Sequence, residues 1–367
     1  MTPKVSVIVP CYNTERYLEN GMSFLLRQTL PEIEIICVND ASTDNTLQIL
    51  EKMALFDTRV IVINLEKNLG PAAARNAGIK QATGEYIGFF DPDDMVDFNF
   101  YEKMYKIAKE DDVDMAIGDL KIHAFDIIGD KIQKRVDVFA GRMAEIAANL
   151  FRFRTHCTAI YRRKFINENK LEYPVEFRNG EDFVFVLRCI IAMQINYGRY
   201  AIVEDTFYHY MRHMGNLSLG FFNTQQVNDS LNSVKLEIDM LNNAPGLSET
   251  EHNLFLLPRI KSLTDLLPKS VTDKKTMELI AENLIQIYKS LKYKKMGGGI
   301  TRNDIKLLSF LITENKEDLA KYLADTTKNI IRTYTLFNRY KIMMTIEKHN
   351  SKTYFLFGRY KLWQIQF

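Results

Sequence analysis

Between residues 4 and 120 the chain alternates short apolar runs with amphipathic stretches, and this alternation narrows what it can fold into more than any other feature. Val5–Pro10, Ile33–Val38, Val60–Leu65 and Tyr86–Asp91 each have the length and composition of one strand. Glu15–Gln28, Asp44–Phe56 and Gly70–Thr83 lie between them with helical periodicity. A βαβαβαβ order with continuous apolar strands predicts an α/β domain with a mostly parallel sheet, covered on both faces. Ligands of such sheets sit beyond the carboxyl ends of the strands. The residues that follow each strand are therefore where chemistry is expected.

A chain of 367 residues exceeds what one core usually holds, roughly 250–300 residues, so a further unit is expected. From about residue 223 the pattern becomes helical, with apolar stripes Val227, Leu231, Val234, Ile238, Leu241 and Met277, Ile280, Leu284, Ile287, Leu291. Ser248-Glu249-Thr250-Glu251 has the form of a capping box. Pro245-Gly246, Pro268 and Gly297-Gly298-Gly299 break these helices; the triple glycine lacks the Lys-Ser/Thr and preceding strand of a phosphate loop. The expected division is 1–220 for the α/β domain (in two parts, 1–120 and 121–220), 221–330 for a helical bundle and 331–367 for a tail.

No charged, apolar and small-residue series of a secretion signal precedes Val5, and no run of about 18 apolar residues occurs. Cys11, Cys37, Cys157 and Cys189 are widely spaced with no C-x-x-C pair, as expected of reduced, buried thiols in a cytoplasmic chain. The formal charge is +2, but residues 328–367 carry eight Lys/Arg against Glu347 alone, so the tail is +7 and the remainder net acidic. Tyr334–Ile342 recurs as Tyr354–Leu362, each copy holding Leu-Phe-x-Arg-Tyr-Lys. Interleaved aromatic and basic residues suit contact with an anionic membrane; they equally suit strands packed on the chain or on a second copy of it. No nucleic-acid partner is expected.

At the strand ends the residue types become specific. Pro10-Cys11-Tyr12-Asn13 places an aromatic ring where a nucleobase can stack. Val38-Asn39-Asp40 ends the second strand; Asp40 can accept a base-edge proton such as uracil N3–H, and Ser42 and Asp44 can cap the next helix. The third strand leads through Asn68 into the small residues Gly70–Gly78, interrupted by Arg75, which can pair with a diphosphate or be a solvated charge. Asp91-Pro92-Asp93-Asp94 puts three carboxylates within four residues, which suits an oxygen-ligated Mg2+ or Mn2+ ion, although an acidic turn has the same composition.

In this order and spacing the four elements resemble glycosyltransferase family 2, strongly over 4–120 and more thinly to about 220. The resemblance implies a GT-A fold, Rossmann-like. It implies inverting transfer of a hexosyl or N-acetylhexosaminyl group from a nucleotide sugar, a UDP-sugar, to an acceptor hydroxyl, giving a β-linkage. Pro10, Tyr12 and Asp40 match its uridine positions and Arg75 its diphosphate contact; Asn13, Ser42, Asn68 and Arg212 join them on the donor side. Asp91-Pro92-Asp93 matches the D-x-D motif, with Asp91 toward ribose or sugar, Asp93 on the metal, and Asp94 orienting the loop.

Inversion needs a general base opposite the leaving diphosphate. Asn179-Gly180-Glu181-Asp182-Phe183 looks like the family's E-D motif, which makes Asp182 the base with Glu181 beside it; a helix start decorated with acids would look the same. Phe207–Leu219 resembles the family's aromatic-Tyr-Arg segment, where Arg212 can meet phosphate and His209 packs; Asn216 stands where some members place a metal-binding histidine, with His213 three residues earlier, so the chain departs there from a third protein ligand. The expected role is synthesis of a bacterial surface polysaccharide or lipooligosaccharide, at the inner face of the cytoplasmic membrane, on a glycan or lipid-linked acceptor. The alternatives are a catalytically silent nucleotide-sugar-binding or assembly subunit and a sugar nucleotidylyltransferase; the latter requires a Gly-rich loop where Pro10–Thr14 stands.

Overall fold

The computed structural model describes residues 2–128, 131–139, 155–212, 224–252, 254–256, 259, 260, 263, 274–290, 317–321, 343–348, 351–356 and 360–366. The chain divides into two compact units, Met1–Gly220 with Asp239–Phe255, and Phe221–Ile238 with Leu256–Phe367.

The first unit opens as the periodicity predicts: β1 (Val5–Cys11), α1 (Glu15–Leu26), β2 (Ile33–Asn39), α2 (Thr46–Phe56), β3 (Val60–Asn64), α3 (Pro71–Gln81) and β4 (Tyr86–Phe89). It continues with β5 (Met95–Val96), α4 (Phe100–Glu110), β6 (Met115–Ile128), β7 (Lys131–Phe139), a 3-10 turn at His156–Thr158, β8 (Ala159–Arg162), α5 (Arg163–Glu168), α6 (Glu181–Asn196) and β9 (Tyr200–Arg212). These strands form one nine-stranded sheet of order β3-β2-β1-β4-β8-β6-β9-β5, with β7 on β6. The β3-β2-β1-β4 half is parallel; beyond it β8 runs antiparallel to β4 and β6, and the sheet becomes mixed.

Strands β1, β2 and β4 are buried on both faces, which is why their apolar runs are continuous rather than alternating. Cys11 pairs with Asn39 and Asn39 with Asn64, so the first three strands end level and their loops open at one edge. Helix α3 lies against β1 so closely that a Cβ on Gly78 would come within 2.4 Å of the Ile8 side chain. The small residues of 70–78 thus serve helix–sheet approach. All four cysteines are buried and free.

In the helical part, α7 (Thr224–Asn243) buries Val227, Leu231, Val234, Ile238 and Leu241, and α8 (Lys274–Ser290) buries Ile280, Leu284 and Ile287. Ser248 and Glu251 form the reciprocal capping box, the Ser248 amide donating to Glu251 Oε2 at 2.8 Å and the Glu251 amide to Ser248 Oγ at 3.3 Å. In the second unit Arg259 Nε donates to the fully buried Glu237 at 3.2 Å. The tail forms a separate antiparallel sheet, β10 (Met343–Lys348), β11 (Ser351–Leu356) and β12 (Tyr360–Gln366). Its second repeat spans β11 and β12; the first, with Pro268 and Gly297–Gly299, lies outside the described residues. Among the described residues no helix is long and apolar enough to cross a membrane.

Candidate functional site

The loops that follow β1 and β2 brace one another. Tyr12 lies just past the end of β1, 48% exposed, while Pro10 is half-buried within the strand. Asn13 takes a left-handed backbone, φ 52°; its amide donates to Ser42 Oγ at 3.0 Å and its Oδ1 accepts the Thr43 amide at 2.8 Å. Ser42 therefore joins two loops, whereas Asp44 does contact the next helix, accepting the Thr46 amide at 3.0 Å. Asp40 is 2% exposed, and its two oxygens accept the amides of Leu69 and Gly70, each at 2.7 Å. Asn68 Nδ2 donates to the Asp40 carbonyl at 3.3 Å. The carboxylate expected to meet a base edge accepts two amides of the loop ahead of α3.

Arg75, expected at the diphosphate, is only 5% exposed. Its Nη2 donates to Asp91 Oδ1 and its Nη1 to Glu181 Oε1, both at 2.9 Å. Its small neighbours let α3 approach the sheet, and that approach carries the guanidinium indoors. There it meets acids 16 and 106 residues away in the chain. The D-x-D and E-D segments are thereby joined through one side chain.

Helix α6 starts at Glu181 after Gly180, whose φ of 88° suits glycine. Glu181 is buried; burial and then the charge of Asp182 raise its carboxyl to about 7 against the pull of Arg75. Asp182 is half-buried, the more accessible of the pair. In the D-x-D segment Asp91 and Asp93 are partly exposed and Asp94 is buried. Burial raises the Asp91 carboxyl, but Arg75, His156 and the Cys157 hydrogen bond together hold the group below the usual range. Asp94 is pushed up by burial and then by the charges of Asp93 and Asp91. Its oxygens accept from Tyr208 Oη and the Met211 amide, each at 2.7 Å, and Tyr208 Oη in turn accepts the Asp91 amide at 3.1 Å. Asp94 anchors the turn.

Among the described residues, Asp91, His156 and Cys157 bring three potential ligand atoms within 4.8 Å of one another. Imidazole and thiol are borderline-soft donors that suit zinc better than Mg2+ or Mn2+. Burial and Arg75 lower His156 to about 3, and His156 Nε2 already lies 3.0 Å from Cys157 Sγ. For a hard cation the fitting donors are the carboxylate oxygens of Asp93 and Asp91, partly exposed at a strand end, together with a ligand's own phosphates. That donor set fits Mn2+ or Mg2+.

Sequence reasoning missed Tyr208, His156 and Cys157. Tyr208 stands in a segment singled out for Arg212 and its histidines, and nothing in residues 151–158 marks the other two. His209 packs in a polar chain, with Nε2 3.0 Å from Asp97 Oδ1 and Nδ1 2.8 Å from His123 Nε2. The Arg212 side chain, His213 and Asn216 lie outside the described residues.

Residues 6–169 match the family model described as Glycosyl transferase family 2. An uncharacterized glycosyltransferase of Haemophilus influenzae is 32% identical over 194 residues, which span 51% of this chain and 72% of that protein. The chain belongs to glycosyltransferase family 2. Another relative, the poly(ribitol-phosphate) beta-glucosyltransferase of Bacillus spizizenii, is 30% identical over 211 residues, 57% of this chain and 32% of that protein. The chain spans less than two thirds of the first relatives it matches: 32%, 39% and 63% of their lengths. Among solved structures, residues 1–349 of S. aureus TarS in complex with UDP-GlcNAc align at TM-score 0.61 and 20% identity, covering 96% of this chain and 97% of that one. This family 2 member therefore has the GT-A fold.

Proposed function

We propose that the chain is an inverting glycosyltransferase that moves a hexosyl or N-acetylhexosaminyl group from a UDP-sugar to an acceptor hydroxyl, forming a β-linkage. The observation that carries this reading is the junction at Arg75, which ties a donor-side D-x-D segment to an acid pair at a helix start. Relatives that bind UDP-GlcNAc or are named beta-glucosyltransferases support the donor class.

The acceptor oxygen attacks the anomeric carbon as the bond from that carbon to the diphosphate oxygen breaks, and the electron pair departs with the nucleoside diphosphate. Asp182 takes the acceptor proton. Tyr12 stacks on the base, with Pro10, Asn13, Ser42 and Asn68 shaping the donor-side loops. Asp93, with Asp91, would hold Mn2+ or Mg2+, which supplies charge neutralisation to the leaving diphosphate. A silent binding or assembly subunit would bind UDP without turnover. Screening UDP-glucose, UDP-galactose, UDP-N-acetylglucosamine and non-uridine nucleotide sugars with Mn2+ tests the reading. UDP-sugars should stabilise the chain thermally and release UDP slowly to water; response to a different nucleotide alone overturns the uridine assignment.

We place the reaction in bacterial surface polysaccharide synthesis, on a glycan or lipid-linked acceptor at the inner face of the cytoplasmic membrane. Residues 328–367 support this with their charge of +7 and their aromatic side chains. Each basic residue near an anionic surface contributes about 1 kcal/mol. The full chain should co-sediment with phosphatidylserine-containing vesicles in a salt-sensitive way, and a chain ending at residue 327 should not. Equal binding by the shorter chain, or loss of a homo-oligomer on truncation, assigns the tail to assembly instead.

A further inference from the structure

We infer that Arg75 is a positioning residue that holds the donor-side and acceptor-side carboxylates of the transfer in one frame and does not itself contact the leaving diphosphate. The inference rests on the transferase reading above and departs from it in the job given to this side chain.

A diphosphate contact must present donors to a ligand. The Arg75 side chain is 6% exposed, with one N–H of Nη2 on Asp91 and one of Nη1 on Glu181, both at 2.9 Å, and its Nε buried without a partner, so burial and these two carboxylates set where the guanidinium points. Turning it toward phosphate would strip the buried Glu181 of its counter-charge, a costly loss in a low-dielectric setting. The guanidinium also lies 5.4 Å from the Tyr173 ring centroid, and Tyr173 stacks on Phe185 of α6 at 4.0 Å.

The next residue repeats the clamp on the same segment. Asn76 Nδ2 donates to the Tyr173 carbonyl and Asn76 Oδ1 accepts the Tyr173 amide, both at 2.8 Å. Two consecutive residues of α3 thus grip the chain that leads into α6: one holds the backbone at Tyr173, the other the Glu181 side chain. Asp182 follows Glu181 in the first turn of α6, so its place relative to Asp91 is set through this grip. A planar fork meets two carboxylates at fixed directions; a lysine, a point charge on a flexible stem, does not fix their geometry.

The test compares full-length wild type with Arg75→Lys and Glu181→Gln, reading UDP affinity by calorimetry with Mn2+ and UDP release from the UDP-sugar screened above. Both variants should keep UDP affinity within about threefold while turnover falls about 10–100-fold, as expected when reacting groups are displaced by about 1 Å. Glu181→Gln removes the carboxylate charge from the bridge while keeping the size of the side chain, so it carries the test if Arg75→Lys does not fold. A tenfold or greater loss of UDP affinity in folded Arg75→Lys, present in EDTA as well as in Mn2+, restores Arg75 to the diphosphate and overturns the inference. A lowered melting temperature with wild-type turnover overturns it too, because the bridge is then structural only. If wild type neither binds UDP nor releases it from any UDP-sugar, the transferase reading fails, a result distinct from failure of the bridge.

Discussion

Asp182→Asn is expected to bind UDP as wild type does and to turn over about 10²–10⁴-fold more slowly, the usual worth of a general base. The side chain stands in the first turn of α6, half-buried, and next to it Glu181 is buried and committed to Arg75. A base must reach the acceptor hydroxyl, and of the two acids only Asp182 combines accessibility with a place on the bridged frame. Asparagine keeps shape and size but has no basic oxygen, so donor binding and fold are preserved. Steady-state kinetics with UDP-sugar, read as UDP release with and without acceptor, check the result. Turnover within threefold of wild type would transfer the role to another carboxylate.

Asp93→Asn should abolish the Mn2+-dependent part of UDP binding and leave the melting temperature nearly unchanged. Asp93 is partly exposed in the turn after β4, and neighbouring Asp94 holds that turn through Tyr208 and the Met211 amide. Charge is therefore removed without removing the anchor. Hard divalent cations bind through carboxylate oxygen and phosphate together, so losing one carboxylate weakens cation and nucleotide jointly. Titration calorimetry of UDP with Mn2+ and with EDTA separates the two contributions. Equal affinity in mutant and wild type under Mn2+ would remove Asp93 from the metal site.

Much of the first unit was legible because its signals are local. The βαβαβαβ reading of residues 5–91 matches β1 through β4, since a strand buried on both faces is largely apolar, the paired Ser6 and Glu34 apart, and a helix covering it must repeat every 3.6 residues. The capping box at Ser248 was legible for the same reason: both partners sit within four residues. The sheet beyond β4 was not, because β8, β6 and β9 pair across long and irregular separations that no short window contains.

By itself the sequence determined the order of strands and helices, where the loops after each strand fall, and which loops carry aromatic, acidic and small residues, because pattern and composition suffice for these. Only the tertiary structure decided which partners the charged residues there take. Asp40 and Arg75 have the same chemistry whether they face a nucleotide or the interior. Packing turned Asp40 onto the amides of Leu69 and Gly70, and carried Arg75 between Asp91 and Glu181. A charge brought indoors must find partners or lose its ionisation, and those partners are chosen by the fold, from positions that no local pattern connects.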